Sequence, residues 1–239
     1  MRFGSLGTTL QRVERFLLPP ECLLCHQAVE FLAGDQLVCA LCQSRWRRLP
    51  EPLCLRCGQP LEAGLDCRIC AEWPDALARV RSAVWFDGTV RQAVHLLKYE
   101  GWWRIAEPVA TAMQRLAPLE PAVVLVAIPL SRRRQRQRGY NQSDRIARAL
   151  GARLRLEVRP ALLERTRDTM TQTALTPEAR RANVEAAFSA GPARGTRVVL
   201  VDDVFTTGAT LAAAATALAE AGATRVEAVT FARAVGPIS

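Results

Sequence analysis

Apolar residues in the larger, C-terminal part of the chain follow two alternating patterns. Short runs rich in β-branched residues predict strands, whereas apolar residues at three- and four-residue spacing predict helices. The predicted strands are residues 81–86, 123–128, 197–201 and 225–231. The predicted helices are residues 90–98, 104–116, 142–152, 177–187 and 209–221. Because strands and helices alternate, we expect an α/β fold with a mostly parallel sheet flanked by helices.

The N-terminal part of the chain differs, because it holds all eight cysteines and none lies beyond residue 70. Apolar residues at helical spacing ahead of the cysteines predict a short amphipathic helix that contains Leu6, Leu10, Val13 and Leu17. After the cysteines, the Trp-Pro-Asp sequence at residues 73–75 is typical of a linker. We therefore expect two domains, residues 1–75 and residues 76–239.

The cysteines form four Cys-x-x-Cys pairs: Cys22/Cys25, Cys39/Cys42, Cys54/Cys57 and Cys67/Cys70. One such pair presents two thiolates from a tight turn, and two pairs complete a tetrahedral four-thiolate zinc site. The spacing favours pairing in sequence, first with second and third with fourth, and leaves interleaved pairing open. Four pairs without a surrounding βαβ pattern argue against redox chemistry. We predict a small N-terminal double zinc ribbon with two structural Zn²⁺ ions.

Composition and charge narrow the class of partner. A chain with 49% hydrophobic and 23% charged residues is globular, so a disordered protein is excluded. The net charge of +9 falls within residues 131–181, where fourteen arginines face five acidic residues and the rest of the chain balances. General use of arginine as a solvated cation explains the near-absence of lysine but leaves the clustering unexplained. Clustered arginines indicate a partner that carries phosphates, either a nucleotide or a nucleic acid.

Two classes of protein are disfavoured by simple counts. No apolar run reaches the roughly 18 residues that span a bilayer, and residues 1–21 lack the apolar core of a signal peptide. We therefore expect a cytoplasmic protein without membrane insertion, where paired cysteines serve as metal ligands more often than as disulfides. The two histidines, His26 and His95, leave little room for a Ser-His-Asp or Cys-His apparatus.

The segment after the predicted strand at residues 197–201 combines acids with a phosphate-binding type of turn. Asp202 and Asp203 come first, and an alanine-rich helix follows the turn. The intervening residues are Val204, Phe205, Thr206, Thr207, Gly208, Ala209 and Thr210. Backbone N–H groups at a helix N-terminus hold phosphate, while carboxylates accept hydrogen bonds from sugar hydroxyls. A helix cap needs one acid at the helix start, so two acids set back from it predict a sugar-phosphate site instead.

This segment resembles the signature loop of type I phosphoribosyltransferases, which bind phosphoribosyl pyrophosphate (PRPP). Over most of its length the chain resembles the ComF family of bacterial competence proteins. The motifs that carry the resemblance include Leu97-Lys98-Tyr99-Glu100-Gly101, Arg138-Gly139-Tyr140-Asn141-Gln142, Asn183-Val184 with Phe188, and Ala232-Arg233. The signature loop alone indicates the superfamily. The motifs specific to the ComF family are Arg-Gly-Tyr-Asn-Gln at residues 138–142 and the Arg…Asn-Val…Phe motif that ends at Phe188.

The resemblance implies a role for each matched segment. Asp202 and Asp203 would be catalytic residues that hold the ribose hydroxyls, directly or through Mg²⁺, and residues 204–210 would hold the 5′-phosphate. The pyrophosphate loop would consist of Pro129, Leu130, Ser131 and Arg132. Arg165 would act in catalysis at the start of a mobile loop over residues 165–172. The resemblance thus implies Mg²⁺ as a cofactor and PRPP, or a related phosphoribosyl nucleotide, as a substrate. The resemblance does not identify the acceptor of the phosphoribosyl group.

The arginine run beyond the pyrophosphate loop has three interpretations that do not exclude one another: a solvated helix face, a pyrophosphate site and a nucleic-acid track. Its nucleic-acid candidates are Arg133, Arg134, Arg136 and Arg138. Trp102 and Trp103 either stack on bases or pack in the core. Lys98, the only lysine, lies in a family motif and is expected near the active site.

Two hypotheses of different classes follow. The first is a phosphoribosyltransferase or PRPP hydrolase that acts in DNA uptake. The second is a non-catalytic module that binds single-stranded DNA or a nucleotide through the PRPP loop. The family resemblance implies other competence proteins as partners in either case.

Overall fold

The computed structural model describes residues 21–29, 36–61, 67–116, 123–166 and 187–234. The chain divides into two compact units, Met1–Trp46 and Arg47–Ser239. The second set of four cysteines therefore lies in the larger unit, and the domain boundary near residue 75 stays a prediction. The predicted helix around residues 6–17 lies outside the described residues, as do the one at 177–187, except for its last residue, and most of the predicted mobile loop.

The described part of the smaller unit is built around its cysteines. An isolated bridge between Glu21 and Ala28 closes the first knuckle. Helix α1 (Ala40–Ser44) begins after Cys39, whose Sγ accepts a hydrogen bond from the Cys42 N–H at 3.4 Å. The buried apolar side chains among the described residues of this unit include Leu24, Val29, Val38 and Trp46.

The larger unit contains a five-stranded parallel sheet, as predicted. Its strands are β1 (Leu77–Trp85), β2 (Val123–Ala127), β3 (Glu157–Val158), β6 (Arg197–Phe205) and β7 (Arg225–Arg233). The strand order is β1-β7-β6-β2-β3, and every neighbouring pair is parallel. A separate antiparallel pair, which the sequence pattern did not predict, consists of β4 (Leu163–Arg165) and β5 (Phe188–Ala190).

Helices surround this sheet. They are α2 (Gly88–Tyr99), α3 (Ala106–Met113), α4 (Arg132–Arg138), α5 (Gln142–Leu154) and α6 (Ala209–Glu220). The predicted helix at residues 104–116 starts as a 3₁₀ turn at Trp103–Ile105 and continues as α3. Helix α4 buries none of its residues, because five of its seven positions are arginine. It begins at the Ser131 cap and ends at Gly139, which takes a left-handed conformation with φ 75°.

The core explains why strand β2 is apolar at every position. All five residues of β2 are buried, since helices cover both faces of a parallel sheet. The alanine-rich helix α6 buries Ala213, Ala214, Ala215 and Leu218 in the same core cluster as Val198 and Leu200. On α5, a Cβ at Gly151 would lie 2.6 Å from Cγ2 of Val158, so glycine permits the close approach of β3.

Within the described ranges, no helix is both long and apolar enough to span a membrane.

Candidate functional site

The eight cysteines form two clusters, each made from two consecutive knuckles. The first contains Cys22, Cys25, Cys39 and Cys42, and the second contains Cys54, Cys57, Cys67 and Cys70. Within each cluster all sulfur atoms lie within 4.8 Å of one another. Pairing in sequence is confirmed, and interleaved pairing is excluded by this geometry.

The clusters fit zinc. A tetrahedral ion with Zn–S bonds of about 2.3 Å places its sulfur ligands about 3.8 Å apart. The Sγ atoms of Cys25 and Cys39 are 3.8 Å apart, and those of Cys54 and Cys70 are 3.7 Å apart. All eight ligands are thiols, so neither cluster offers the open position of a catalytic zinc site. Both sites are structural.

Backbone N–H groups prepare one sulfur of each cluster to bind metal as a thiolate. The Cys22 Sγ accepts hydrogen bonds from the N–H groups of Cys39 at 3.3 Å and Leu24 at 3.4 Å. Burial alone would raise the pKa of the Cys22 thiol, but these donors lower that pKa to about 6. In the second cluster, burial again opposes backbone donors from Cys57 and Arg56, which lower the pKa of Cys54 to about 7.

The acid pair lies in a notch at the carboxyl edge of the parallel sheet. Strand β2 ends at Ala127 opposite Val201, while β6 continues beside β7 as far as Phe205. The predicted end of this strand at residue 201 is therefore wrong, and Val204 and Phe205 are strand residues. Asp202 and Asp203 lie beyond the last pair of β2 and β6, where β2 no longer covers them. Ligands of open α/β sheets bind at such edges.

Asp202 is held by the N-terminus of α5. Its Oδ1 accepts a hydrogen bond from the Ser143 hydroxyl at 2.8 Å and another from the Asp203 N–H at 2.9 Å. Burial, followed by repulsion from the Asp203 carboxylate, raises the pKa of Asp202 to about 7. The Ser143 hydroxyl limits this rise. Sequence reasoning missed Ser143, whose only signal was its place just after the Arg-Gly-Tyr-Asn-Gln motif.

Asp203 has a partner from a distant part of the chain. Its Oδ2 lies 2.8 Å from Nζ of Lys98 at the end of α2. The Asp203 side chain is 5% exposed and the Lys98 side chain 20% exposed, so the pair is largely shielded from water. The only lysine of the chain thus neutralises one of the two acids, and Lys98 lies beside the candidate site as expected.

The turn after the acid pair places its polar groups in solvent. Thr206 and Thr207 are exposed, and the Thr207 hydroxyl accepts a hydrogen bond from the Ala209 N–H at 3.4 Å. Gly208 caps α6 with φ 83° and no side-chain bond. No acid caps α6, so Asp202 and Asp203 do not serve as its helix cap. The first N–H groups of α6 have no acceptor within the helix.

The predicted pyrophosphate loop follows the neighbouring strand β2. The Asn141 amide holds this loop by donating to the Ile128 carbonyl at 2.9 Å. Pro129 and Leu130 are half-buried. Ser131 is buried and accepts a hydrogen bond from the Arg134 N–H at 3.4 Å, so its hydroxyl caps α4. Arg132 is exposed in the first turn of α4.

Exposed aromatic rings lie near the arginines. The Arg138 guanidinium lies 5.0 Å from the Tyr99 ring centroid, and that of Arg145 lies 4.7 Å from the Trp103 centroid. Tyr99 is 65% exposed, Trp102 41% and Trp103 45%. The interpretation of the tryptophans as core residues is therefore wrong. We call Tyr99, Trp102, Trp103, Arg138 and Arg145 the aromatic–arginine surface.

A cavity of about 390 Å³ connects this surface to Lys98. It is lined by Lys98, Tyr99, Gly101, Arg134, Gln137 and Arg138. Three of these side chains are cationic and none is acidic, so the cavity suits an anion. Arg133 and Arg136 are exposed on α4.

Arg165 ends strand β4, with its guanidinium 5.4 Å from the ring centroid of Phe188 on β5. It therefore belongs to the antiparallel pair of β4 and β5, at the start of the predicted mobile loop. Residues 167–172 of that loop lie outside the described ranges. A catalytic role for Arg165 stays a prediction.

Two family models match the chain. Residues 13–71 match a double zinc ribbon domain, and residues 144–236 match a phosphoribosyl transferase domain. Among solved structures, a glutamine PRPP amidotransferase from B. subtilis matches 52% of this chain and 25% of its own, with 24% identity and a TM-score of 0.37.

Curated relatives match most of the chain. The DNA utilization protein YhgH of Escherichia coli O157:H7 is 32% identical over 223 residues, which cover 88% of this chain and 95% of the relative. The competence protein ComFC of Bacillus subtilis (strain 168) is 28% identical over 84% of this chain and 89% of its own. The four-cysteine clusters, the parallel sheet and these near full-length matches lead to one conclusion: the chain belongs to the ComF family.

Proposed function

We propose that the protein binds PRPP with Mg²⁺ at Asp202, Asp203 and residues 204–210, and that it acts in the cytoplasm on DNA taken up by the cell. The first part of the proposal rests on the notch at the sheet edge. There β6 extends beyond the end of β2 and places two carboxylates before the N-terminus of α6. The names of the relatives, competence protein and DNA utilization protein, support the second part.

Each part of PRPP has a matching group in this notch. The carboxylates suit the vicinal hydroxyls of ribose, and the exposed turn at Thr206 and Thr207, with the free N–H groups of α6, suits the 5′-phosphate. Carboxylate oxygens are also the protein ligands that Mg²⁺ prefers, with substrate phosphates completing its shell. The Lys98 ammonium and the exposed arginines of α4 supply positive charge for the pyrophosphate.

The chemistry of PRPP needs little acid or base catalysis. The bond between ribose C1 and pyrophosphate breaks with oxocarbenium character, so the site must mainly stabilise the leaving charge and exclude water. Bound Mg²⁺ would neutralise part of the pyrophosphate charge. The side chains at the notch provide hydrogen-bond acceptors and cations, which fits such a reaction. Transfer to an acceptor and hydrolysis by water are both consistent with this arrangement.

Calorimetric titration of the zinc-loaded protein with PRPP and Mg²⁺ tests this proposal. A hydrogen bond to a charged group contributes about 1.5 to 3 kcal/mol, so Asp203→Asn should weaken binding about tenfold or more. Glu107→Gln is the control, because Glu107 forms an ion pair with Arg153, near the end of α5 opposite to the Ser143 that contacts Asp202. Failure of the wild-type protein to bind PRPP, or equal binding by Asp203→Asn, would overturn the proposal.

A second candidate function is binding of single-stranded DNA by the aromatic–arginine surface and α4. Its support is the exposure of three aromatic rings beside arginines, since bases stack on such rings and phosphates bind guanidinium groups. Within the described residues, Arg132, Arg133, Arg134 and Arg136 form no ion pair with a carboxylate. These cations are therefore available to phosphates.

Salt dependence separates this function from PRPP binding. Each phosphate contact with a single strand contributes about 0.7 to the slope of log affinity against log salt. Replacing both Arg133 and Arg136 with alanine should therefore lower the slope by roughly 1.4. Arg159→Ala is the control, because Arg159 is paired with Glu157 beside β3. Oligonucleotide binding that is absent, or that has the same slope in the double variant, would remove this candidate.

A further inference from the structure

Arg233 is a buried arginine with a place between two sites. It ends strand β7 and is 1% exposed, among the largest fully buried side chains of the described residues. Its Nη1 donates to the Cys57 carbonyl at 2.8 Å, and its Nε donates to Oε1 of Gln59 at 2.9 Å. Its Nη2 lies 3.8 Å from the Cys57 Sγ. The guanidinium is thus bound to a knuckle of the second four-cysteine cluster.

The same guanidinium also contacts the strand that leads into the candidate phosphate-binding turn. Its Cζ lies 4.1 Å from the ring centroid of Phe205. Arg233 is also paired with Phe205 in the register of β6 and β7, and the Ala234 N–H donates to the Phe205 carbonyl at 2.9 Å. Phe205 is the last strand residue before Thr206. One side chain therefore touches both a cysteine ligand and the base of the turn.

Trp73 provides a second contact between the same two sites. The Trp73 N–H donates to the carbonyl of Cys70, the last ligand of the cluster, at 3.3 Å. Its ring centroid lies 5.8 Å from that of Phe205. A Cβ added at Gly208 would lie 2.4 Å from Cζ2 of Trp73, so the indole lies directly against the turn. The cluster and the turn share a single packed layer of Arg233, Phe205 and Trp73.

Bound zinc would fix the conformation of the knuckle against which Arg233, Phe205 and Trp73 pack. A four-thiolate zinc site holds the backbone of its knuckles in one conformation, and small ribbons lose that conformation without metal. The Cys57 carbonyl and the Gln59 amide are the fixed acceptors of the Arg233 guanidinium. A buried guanidinium that loses its acceptors has to move or to be hydrated. The ring of Phe205 would then lose the cation that covers it.

We propose that Arg233 is a positioning residue that couples the second four-cysteine cluster to the turn at residues 206–210. The cluster then sets the conformation of the turn, in addition to stabilising its own knuckles. The proposal rests on the proposed function only in assigning phosphate binding to that turn, and the coupling itself is independent of any ligand.

Hydrogen exchange of residues 204–210 tests the coupling without PRPP. In the wild-type protein, removal of zinc by a chelator should speed exchange in this segment. In Arg233→Met the segment should exchange faster even when zinc-loaded. One of the two zinc ions should bind about 10-fold to 100-fold more weakly, and so be released to the chelator more readily, as when other partners of metal ligands are lost. Arg225→Met, on the same strand but paired with Glu227, is the control and should behave as wild type.

Two further variants keep the test decisive if Arg233→Met does not fold. Arg233→Lys keeps the charge but not the fork of donors, and should give a smaller change in the same direction. Phe205→Leu should release zinc as wild type does, while exchange of residues 206–210 is fast and insensitive to the chelator. The coupling would be overturned if zinc removal left hydrogen exchange of the wild-type segment unchanged. It would also be overturned if the Arg233 variants showed the exchange and zinc release of the wild type. Absence of PRPP binding with these exchange results intact would refute the proposed function alone.

Discussion

The ion pair between Lys98 and Asp203 leads to a quantitative prediction. Lys98→Met keeps most of the volume of the side chain and removes its charge. Asp203 is then left buried next to a second carboxylate, without the cation that lies 2.8 Å away in the wild-type protein. The Lys98 ammonium also opposes the rise that burial causes in the pKa of Asp202, so the substitution should move that pKa further above about 7.

The exposure of the two side chains sets the expected loss of stability. Surface ion pairs contribute about 0 to 1 kcal/mol, whereas removing one partner of a fully buried pair costs about 3 to 5 kcal/mol. Side-chain exposures of 20% for Lys98 and 5% for Asp203 place this pair between these limits. We expect Lys98→Met to lower the free energy of unfolding by about 2 kcal/mol at pH 7.5. Lys98→Arg keeps the charge and should cost less.

Urea unfolding at a fixed zinc concentration measures this loss, because bound metal changes apparent stability by mass action. A double-mutant cycle with Asp203→Asn isolates the pair. In the Asp203→Asn background the uncompensated charge is gone, so Lys98→Met should cost little. The reasoning is refuted if Lys98→Met is neutral, or if its cost is the same in both backgrounds.

Three other predictions follow from the same region and its metal sites. The pKa of Asp202 is about 7 in the folded protein and 3.8 ordinarily, so the carboxyl group binds its proton more tightly when the protein is folded. Its contribution to the free energy of unfolding therefore falls as pH rises from about 4 to 7. Urea titrations should show this fall in the wild type but not in Asp202→Asn. Gly208→Ala should destabilise by about 1 to 3 kcal/mol, since its Cβ would meet Trp73, whereas Gly195→Ala, also at positive φ but in open space, should cost only backbone strain of about 1 kcal/mol in thermal unfolding. Elemental analysis should find two zinc ions per chain and one in Cys39→Ser; an unchanged count would show that the first cluster does not need Cys39 to hold its ion.

Much of the fold was predictable because its signals are local. The apolar runs at residues 123–127 and 198–201 form buried parallel strands, since both sheet faces are covered. The prediction of two zinc ions needed only the Cys-x-x-Cys spacing, because the two thiolates of each pair lie on one tight turn. The acid pair and the glycine turn that follows it likewise predict a ligand site within one short segment, and that site stays a prediction.

Other features depended on neighbours that the local pattern does not contain. Strand β6 runs on to Phe205 because β7 continues beside it, and the two acids give no local sign of extended structure. The tryptophans at residues 102 and 103 are exposed, although their local pattern was equally consistent with a place in the core. Helix α4 has no apolar face at all, so only its serine cap and glycine end predict it.

The sequence by itself determined the kinds of chemistry present: two sets of four thiolates, two adjacent carboxylates, a cluster of arginines and one lysine. Tertiary structure decided which of these groups meet. The sheet order β1-β7-β6-β2-β3 brings Lys98 to Asp203, Ser143 to Asp202 and Arg233 to Cys57, although each pair is far apart along the chain. Periodicity and ligand spacing act over a few residues, whereas these contacts are set by the packing of helices and knuckles around one sheet, which buries the charges and fixes their partners.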